Sequence, residues 1–195
     1  MSGKMIQILV MLTVIPMMAA CSQFVSTPVP SQQDIEAEEQ AVYAFFVSRA
    51  EGSTVILQET STGFPTDDPK QARDSMRSNF PRLSTQAVDT FMERNQGPTQ
   101  LSPNMQLGVD YTLLSAKDLA TISSQPNWHE ILRDKYPGSN GYLIFSRVGF
   151  NSSLDQAVIY VGQVAGPLMG SGSYYLMEKQ NGEWILKDQV MVWIS

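Results

Sequence analysis

The chain is poor in the residues that much site chemistry needs. Of its 195 residues, one is cysteine and one is histidine. A lone cysteine closes no intrachain disulfide, and one cysteine with one histidine cannot build the usual zinc frameworks. No run of lysine or arginine occurs, and 13 basic side chains face 19 acidic ones, a formal charge of −6 at pH 7 with a pI near 4.7. An acidic chain without a basic stretch excludes a phosphate-backbone partner, so no nucleic acid is expected. The glycine-rich stretch Gly166-Pro-Leu-Met-Gly-Ser-Gly172 is neither a P-loop nor a dinucleotide fingerprint, and Ser171 lacks the nucleophile-elbow pattern. Asp67 and Asp68 alone do not supply the six or more oxygens that calcium takes. No cofactor and no metal is expected.

What is present begins at the N-terminus. Lys4 is the only charged side chain in the first 33 residues, and Ile6 to Met18 is mostly apolar. That run is short of the about 20 residues a bilayer span needs, but it suits the core of a signal peptide. It ends in Met18-Ala19-Ala20-Cys21, with the chain's single cysteine last. This pattern resembles the bacterial lipobox. The resemblance implies cleavage before Cys21, a diacylglyceryl group on its thiol and an acyl group, typically palmitate, on the new amine. Two or three acyl chains anchor a protein stably without a membrane-spanning helix. Ser22 stands where sorting in enteric bacteria reads a non-Asp residue as an outer-membrane address. The implied location is therefore the bacterial cell envelope, lipid-anchored at the outer membrane and facing the periplasm. Loss of residues 1–20 removes one basic side chain, so the mature chain is one charge more negative.

Residues 21–33 carry no charge, two prolines and several small polar side chains, which suits a flexible tether. Residues 34–195 read as one α+β domain. A first helix is expected over Gln32 to Arg49, capped by Ser31 with Asp34 three positions on, with Ile35, Val42, Phe45 and Phe46 as its apolar face. The acidic run Glu36, Glu38 and Glu39 reads as a solvated helix start favoured by the helix dipole. Ser53 to Thr60 alternates as a strand, with Val55, Leu57 and Glu59 on one side. Asp68-Pro69 opens a second helix with Ala72, Met76 and Phe80 inward, and Ser84 opens a third with Ala87, Val88, Phe91 and Met92 inward. Val109 to Ser115 is a short strand. Ser115 with Asp118, and Asn127 with Glu130, begin two short helices. The sole histidine, His129, falls on the second of these, facing solvent.

The last part of the chain reads as an antiparallel meander of Tyr142–Phe150, Gln156–Ala165, Ser171–Gln180 and Glu183–Ile194. Its final link, Asn181-Gly182, is the strongest short hairpin signal, since a type I′ turn needs positive φ at both positions. That turn pairs Gln180 with Glu183, Lys179 with Trp184, Met177 with Leu186 and Tyr175 with Asp188, and opposed residues share a face. Asp188 then stands among apolar neighbours and needs a partner. Arg147, mid-strand beside Leu143 and Phe145, is the natural one. Glu59 and a tyrosine, Tyr160 or Tyr175, complete a cluster that is either a buried ion pair fixing register or the lining of a ligand pocket.

The closing hairpin, Ser173-Tyr-Tyr-Leu-Met-Glu-Lys-Gln-Asn-Gly-Glu-Trp-Ile-Leu-Lys-Asp188, resembles the end of the NTF2-like (cystatin-like roll) superfamily. That resemblance implies N-terminal helices packed on a curved antiparallel sheet. It also admits an enzyme of the isomerase or dehydratase type with Asp188 as acid/base and Arg147 orienting an anionic group. Phe145-Ser-Arg-Val-Gly-Phe-Asn151 and Gly170-Ser-Gly-Ser-Tyr-Tyr175, with the terminal Trp193-Ile-Ser195, also resemble a group of short exported bacterial proteins, which implies no residue roles. The expectation is a lipid-anchored envelope protein that binds a small molecule or an envelope protein, more in keeping with binding than with catalysis. An exposed apolar patch around Trp193 would mark a docking surface instead.

Lipidation at Cys21 is tested by Cys21→Ser. The variant is expected to accumulate as an uncleaved, unacylated precursor, and its continued labelling by a palmitate analogue would contradict the lipobox reading.

Overall fold

The computed structural model describes residues 29–52, 55–61 and 68–195. The expected signal peptide, Cys21 and most of the expected tether lie outside the described residues, as does Asp67. Among the described residues no helix is long and apolar enough to cross a membrane.

Local signals place the helices. Helix α1, Gln32–Val47, starts on a capping box: the Ser31 hydroxyl accepts from the Asp34 amide at 3.2 Å, and the Asp34 carboxylate accepts from the Ser31 amide at 2.9 Å. Strands β1, Val55–Gln58, and β2, Thr60–Ser61, follow. Helix α2, Pro69–Asn79, is capped by Asp68 with proline in its first turn, and α3, Thr85–Arg94, starts at Ser84 without a side-chain cap. Two-residue β3, Thr99–Gln100, pairs with β2, and β4 is Tyr111–Leu114. Helix α4, Ala116–Ser123, is capped by Ser115 onto the Asp118 amide; α5 is Trp128–Lys135. The remaining strands are β5, Tyr142–Phe145; β6, Gly149–Phe150; β7, Gln156–Gly166; β8, Met169–Gln180; and β9, Glu183–Ile194.

The class is α+β, with five helices and a seven-stranded mixed sheet among the described residues and the antiparallel meander at the sheet's C-terminal side. Strand order is β4-β1-β5-β7-β8-β9, with β6 also on β7. The sheet is not antiparallel throughout. Strand β1 runs parallel to both β4 and β5, because helical crossovers (α2 and α3, then α4 and α5) return the chain in the same direction. Consistent with that, β1 is buried on both faces, whereas a half-exposed antiparallel strand would alternate.

Helices lie on both faces rather than on one. Helix α1 packs Val42 and Tyr43 against Leu57, Phe145, Ile159, Met177 and Trp184; Tyr43 stacks on Phe145 with centroids 4.7 Å apart. On the other face, α2 and α3 bury Met76, Phe80, Val88 and Phe91 against Val158, Tyr160, Tyr174 and Leu176. Further along that face α4 and α5 close over Ile56, Leu114, Ile122 and Leu132. No described core position lies before Ile35, so a chain starting at Val29 keeps the whole of this core and is expected to fold on its own.

Two glycines are there because nothing larger fits. At Gly149 a side chain would run into the Ala87 carbonyl and Phe91, so α3 sits directly on β6. At Gly172 it would meet the Trp193 indole and the Tyr160 hydroxyl, and those two groups hydrogen-bond to each other at 2.7 Å.

The closing hairpin begins as the turn dictates. Asn181 and Gly182 have φ of 53° and 87°, and Gln180, Lys179, Glu178 and Met177 pair with Glu183, Trp184, Ile185 and Leu186. Lys187 is then an extra residue, a β-bulge, and the next pair is Leu176 with Asp188. The expected pairing of Tyr175 with Asp188 is therefore displaced by one residue, and Asp188 to Met191 change face. A second extra residue, Val192, shifts the register again before Trp193.

Candidate functional site

The expected strand Tyr142–Phe150 is broken at Ser146-Arg147-Val148, and the chemistry of the molecule converges on that break. Three residues outside a ladder leave six backbone polar groups to satisfy. The Ser146 amide still reaches the Tyr160 carbonyl at 3.0 Å. The other five go to helix side chains. Tyr43 of α1 donates its hydroxyl to the Ser146 carbonyl at 2.9 Å. Asn95, at the end of α3, accepts from the Arg147 amide at 2.8 Å and donates to the Arg147 carbonyl at 2.9 Å. Glu39 of α1 accepts from the Val148 amide at 2.9 Å, and Arg94 of α3 donates to the Val148 carbonyl.

Glu39 is also the centre of an ion cluster. It is 6% exposed. The Arg147 guanidinium grips its two oxygens through Nε, at 2.9 and 3.0 Å, and through Nη2, at 2.7 Å. Arg94 adds an Nη2 contact at 3.1 Å. Burial alone would lower the Arg147 pKa, but hydrogen bonding and charge attraction to Glu39 outweigh it and raise it. Burial, then the Glu39 charge, pushes the Tyr43 hydroxyl well above its ordinary range, so it stays a neutral donor. The neighbouring Glu38 pins the other end of the contact: it accepts from the Trp184 indole at 2.8 Å and pairs with Lys179. The acidic run of α1 is thus not a solvated helix start. Two of its three carboxylates hold the helix to the sheet.

Arg147 therefore has Glu39, not Asp188, as its partner. Asp188 is exposed and accepts from the Gln189 amide at 2.8 Å. Its register partner Leu176 faces α2 and α3, so the sheet lies between Asp188 and Arg147. Tyr160 and Tyr175 are also on opposite faces: Tyr160 is in the α2/α3 core, and Tyr175 packs edge-on against Phe46 of α1 at 4.9 Å. Glu59 accepts from Gln100 at 2.9 Å. The constellation of Glu59, Arg147, Asp188, Tyr160 and Tyr175 is not assembled, and Asp188 as acid/base does not stand beside Arg147 as the group orienting an anion. His129 is half-buried rather than solvent-facing, edge-on to Trp128, with a buried Nδ1 that has no hydrogen-bond partner. Among the described residues no group of three or more His, Cys, Asp or Glu side chains is placed to hold a metal.

Two cavities flank the Glu39 cluster. One, of about 260 Å³, is polar, with Glu36, Gln40, Gln100 and Ser102 around Arg147. The other, of about 270 Å³, is a mainly apolar groove between the first turn of α1, helix α3 and the β6–β7 link. Ile35, Phe150 and Leu154 supply its apolar wall, Thr90 and Arg94 come from α3, and Val29 and Pro30 stand on its rim. Thr90 donates to the Phe150 carbonyl at 2.7 Å, capping a group on the open edge of β6. Among the described residues that line it, Arg94 alone is charged. At the far end of α1 a third, open depression is bordered by Leu168, Met169 and Ile194, which are 83%, 65% and 71% exposed. Trp193 itself is half-buried, so the exposed apolar surface there belongs to its neighbours.

Glu39 escaped the sequence reading although a signal was present. It lies four residues after Ile35 and three before Val42, on the apolar stripe of α1. A carboxylate on such a stripe needs a buried counter-charge.

With Glu39 removed, two guanidinium groups lose their shared counter-charge, and breaking a buried pair costs about 3–5 kcal/mol. Glu39→Gln is expected to lower the unfolding free energy by about 3 kcal/mol, and its double-mutant cycle with Arg147→Met to show coupling of about 1–3 kcal/mol. The cycle of Arg147→Met with Asp188→Asn should be additive within about 0.5 kcal/mol. Denaturant unfolding reads both, and coupling confined to the second cycle would overturn the assignment.

Comparison of the chain with protein-family models, with curated proteins and with solved structures finds no match in any of the three.

Proposed function

We propose that this protein is a lipid-anchored lipoprotein of the bacterial envelope whose domain binds a small apolar or amphipathic molecule in the groove between α1, α3 and β6. The observation that carries the reading is the groove itself: an apolar wall of Ile35, Phe150 and Leu154 with one charged side chain, Arg94, among its described lining. A concave, mainly apolar site with few polar groups is the usual form of a small-molecule pocket. Its place supports the same reading. Val29 is on the rim, eight residues after Cys21, and eight residues span at most about 28 Å when fully extended. An acylated Cys21 therefore holds the groove close to the membrane surface, where apolar molecules are concentrated.

The test is a thermal-shift screen on residues 29–195 against apolar and amphipathic compounds, with Ile35→Trp as a groove-filling control. A binder at a hundred times its Kd stabilises by about 2.7 kcal/mol. For a domain of this size that is a Tm rise of about 5–10 °C. The rise should disappear in Ile35→Trp. A panel without a shift, or a shift that persists in the filled variant, would contradict the reading.

A further inference from the structure

The charges around the groove narrow the ligand. Two guanidinium groups, Arg94 and Arg147, share one carboxylate, Glu39. Arg147 contacts both oxygens of Glu39, so the fork-to-carboxylate match is made by Arg147 alone. Glu36, which borders the polar cavity, adds a second negative charge on the Arg147 side. The surplus positive charge thus falls to Arg94, on the groove side. A guanidinium carries five N–H donors. Among the described residues Arg94 spends one from Nη1 on the Val148 carbonyl and one from Nη2 on Glu39, which leaves Nε–H and one hydrogen on each Nη. Its side chain is 19% exposed. Asp34, in the first turn of α1, is held by the Ser31 amide and hydroxyl at the exposed helix start.

Resting on the groove being the binding site, we infer that its ligand is an amphipathic anion, with an alkyl chain against Ile35, Phe150 and Leu154 and a carboxylate or phosphate head on Arg94. A head of that kind supplies the missing counter-charge and accepts from the free donors. A neutral ligand leaves the surplus uncompensated, and a cationic one opposes it. The volume of about 270 Å³ is near the lower end of ligand pockets, which suits one chain of moderate length and not a diacyl lipid. The alkyl chain needs no polar partner from the apolar wall, and two polar atoms at the groove's edge are already engaged: the Gln86 side-chain oxygen accepts from the Ser152 amide at 2.8 Å, and the Thr90 hydroxyl holds the Phe150 carbonyl.

Decanoate and decan-1-ol, each below its aggregation limit, separate the two claims when titrated calorimetrically into residues 29–195. The expected result is decanoate binding at least tenfold tighter than decanol, with both lost in Ile35→Trp. Should that variant unfold, Gln86→Trp fills the groove from the α3 side. Equal affinity for the two probes would overturn the anionic head while leaving the groove as a site. Binding of neither probe, or binding unchanged in a folded filled variant, would overturn the groove reading and the inference together.

Discussion

The fold depends on one carboxylate buried where a strand stops. Ser146, Arg147 and Val148 interrupt the line from β5 to β6, and a polar backbone group left unpaired there costs about 1–3 kcal/mol. Side chains from α1 and α3 take up five of the six groups, and Glu39 links the two sets by accepting from Val148, Arg147 and Arg94 together. Buried ion pairs repay their desolvation only when the geometry is good and the remaining lone pairs are filled. Glu39 meets that condition, with both oxygens engaged by charged donors and one by a backbone amide as well. Helices on opposite faces of the sheet are thereby joined around the open edge of β6. Gly149 allows α3 to come close enough for this.

The same interaction shapes the surface. A guanidinium pair around one carboxylate cannot be neutral, and the two arginines face different cavities. Arg147 looks into a polar pocket already supplied with Glu36, while Arg94 looks into an apolar groove with no acid of its own among the described lining. A structural joint thus leaves a charge in the lining of a ligand-sized, mostly apolar space. The functional reading follows from that asymmetry rather than from the sheet.

Local signals were legible in the sequence; long-range ones were not. Ser31 with Asp34, Asp68-Pro69, Ser115 with Asp118 and Asn181-Gly182 each act within a few residues, and each is where the pattern put it. The class and the meander followed from them. The Lys187 bulge was invisible because Lys187, Asp188 and Gln189 are three consecutive polar residues whose pattern does not show which face each takes, yet it moves Asp188 out of the cluster assigned to it. The break at Ser146 was hidden as well, since Phe145-Ser-Arg-Val-Gly-Phe150 holds no proline and no turn dipeptide to mark it. Parallel pairing of β1 with β4 and β5 leaves no mark in a four-residue strand beyond burial on both faces. Arg147 was singled out for a sound reason, a charge on an inward-facing strand position. Its partner came from the other end of the domain, 108 residues away, where Glu39 looked like one of three solvated acids.

Amide hydrogen exchange at the break tests the central claim most directly. The Val148 and Arg147 amides are held by Glu39 and Asn95 instead of a ladder, so their protection depends on the cluster and not on the sheet. In Glu39→Gln both amides, with those at the end of α3, are predicted to exchange at least tenfold faster while the Ser146 amide, held by the Tyr160 carbonyl, stays protected. Unchanged protection at Val148 would contradict the account.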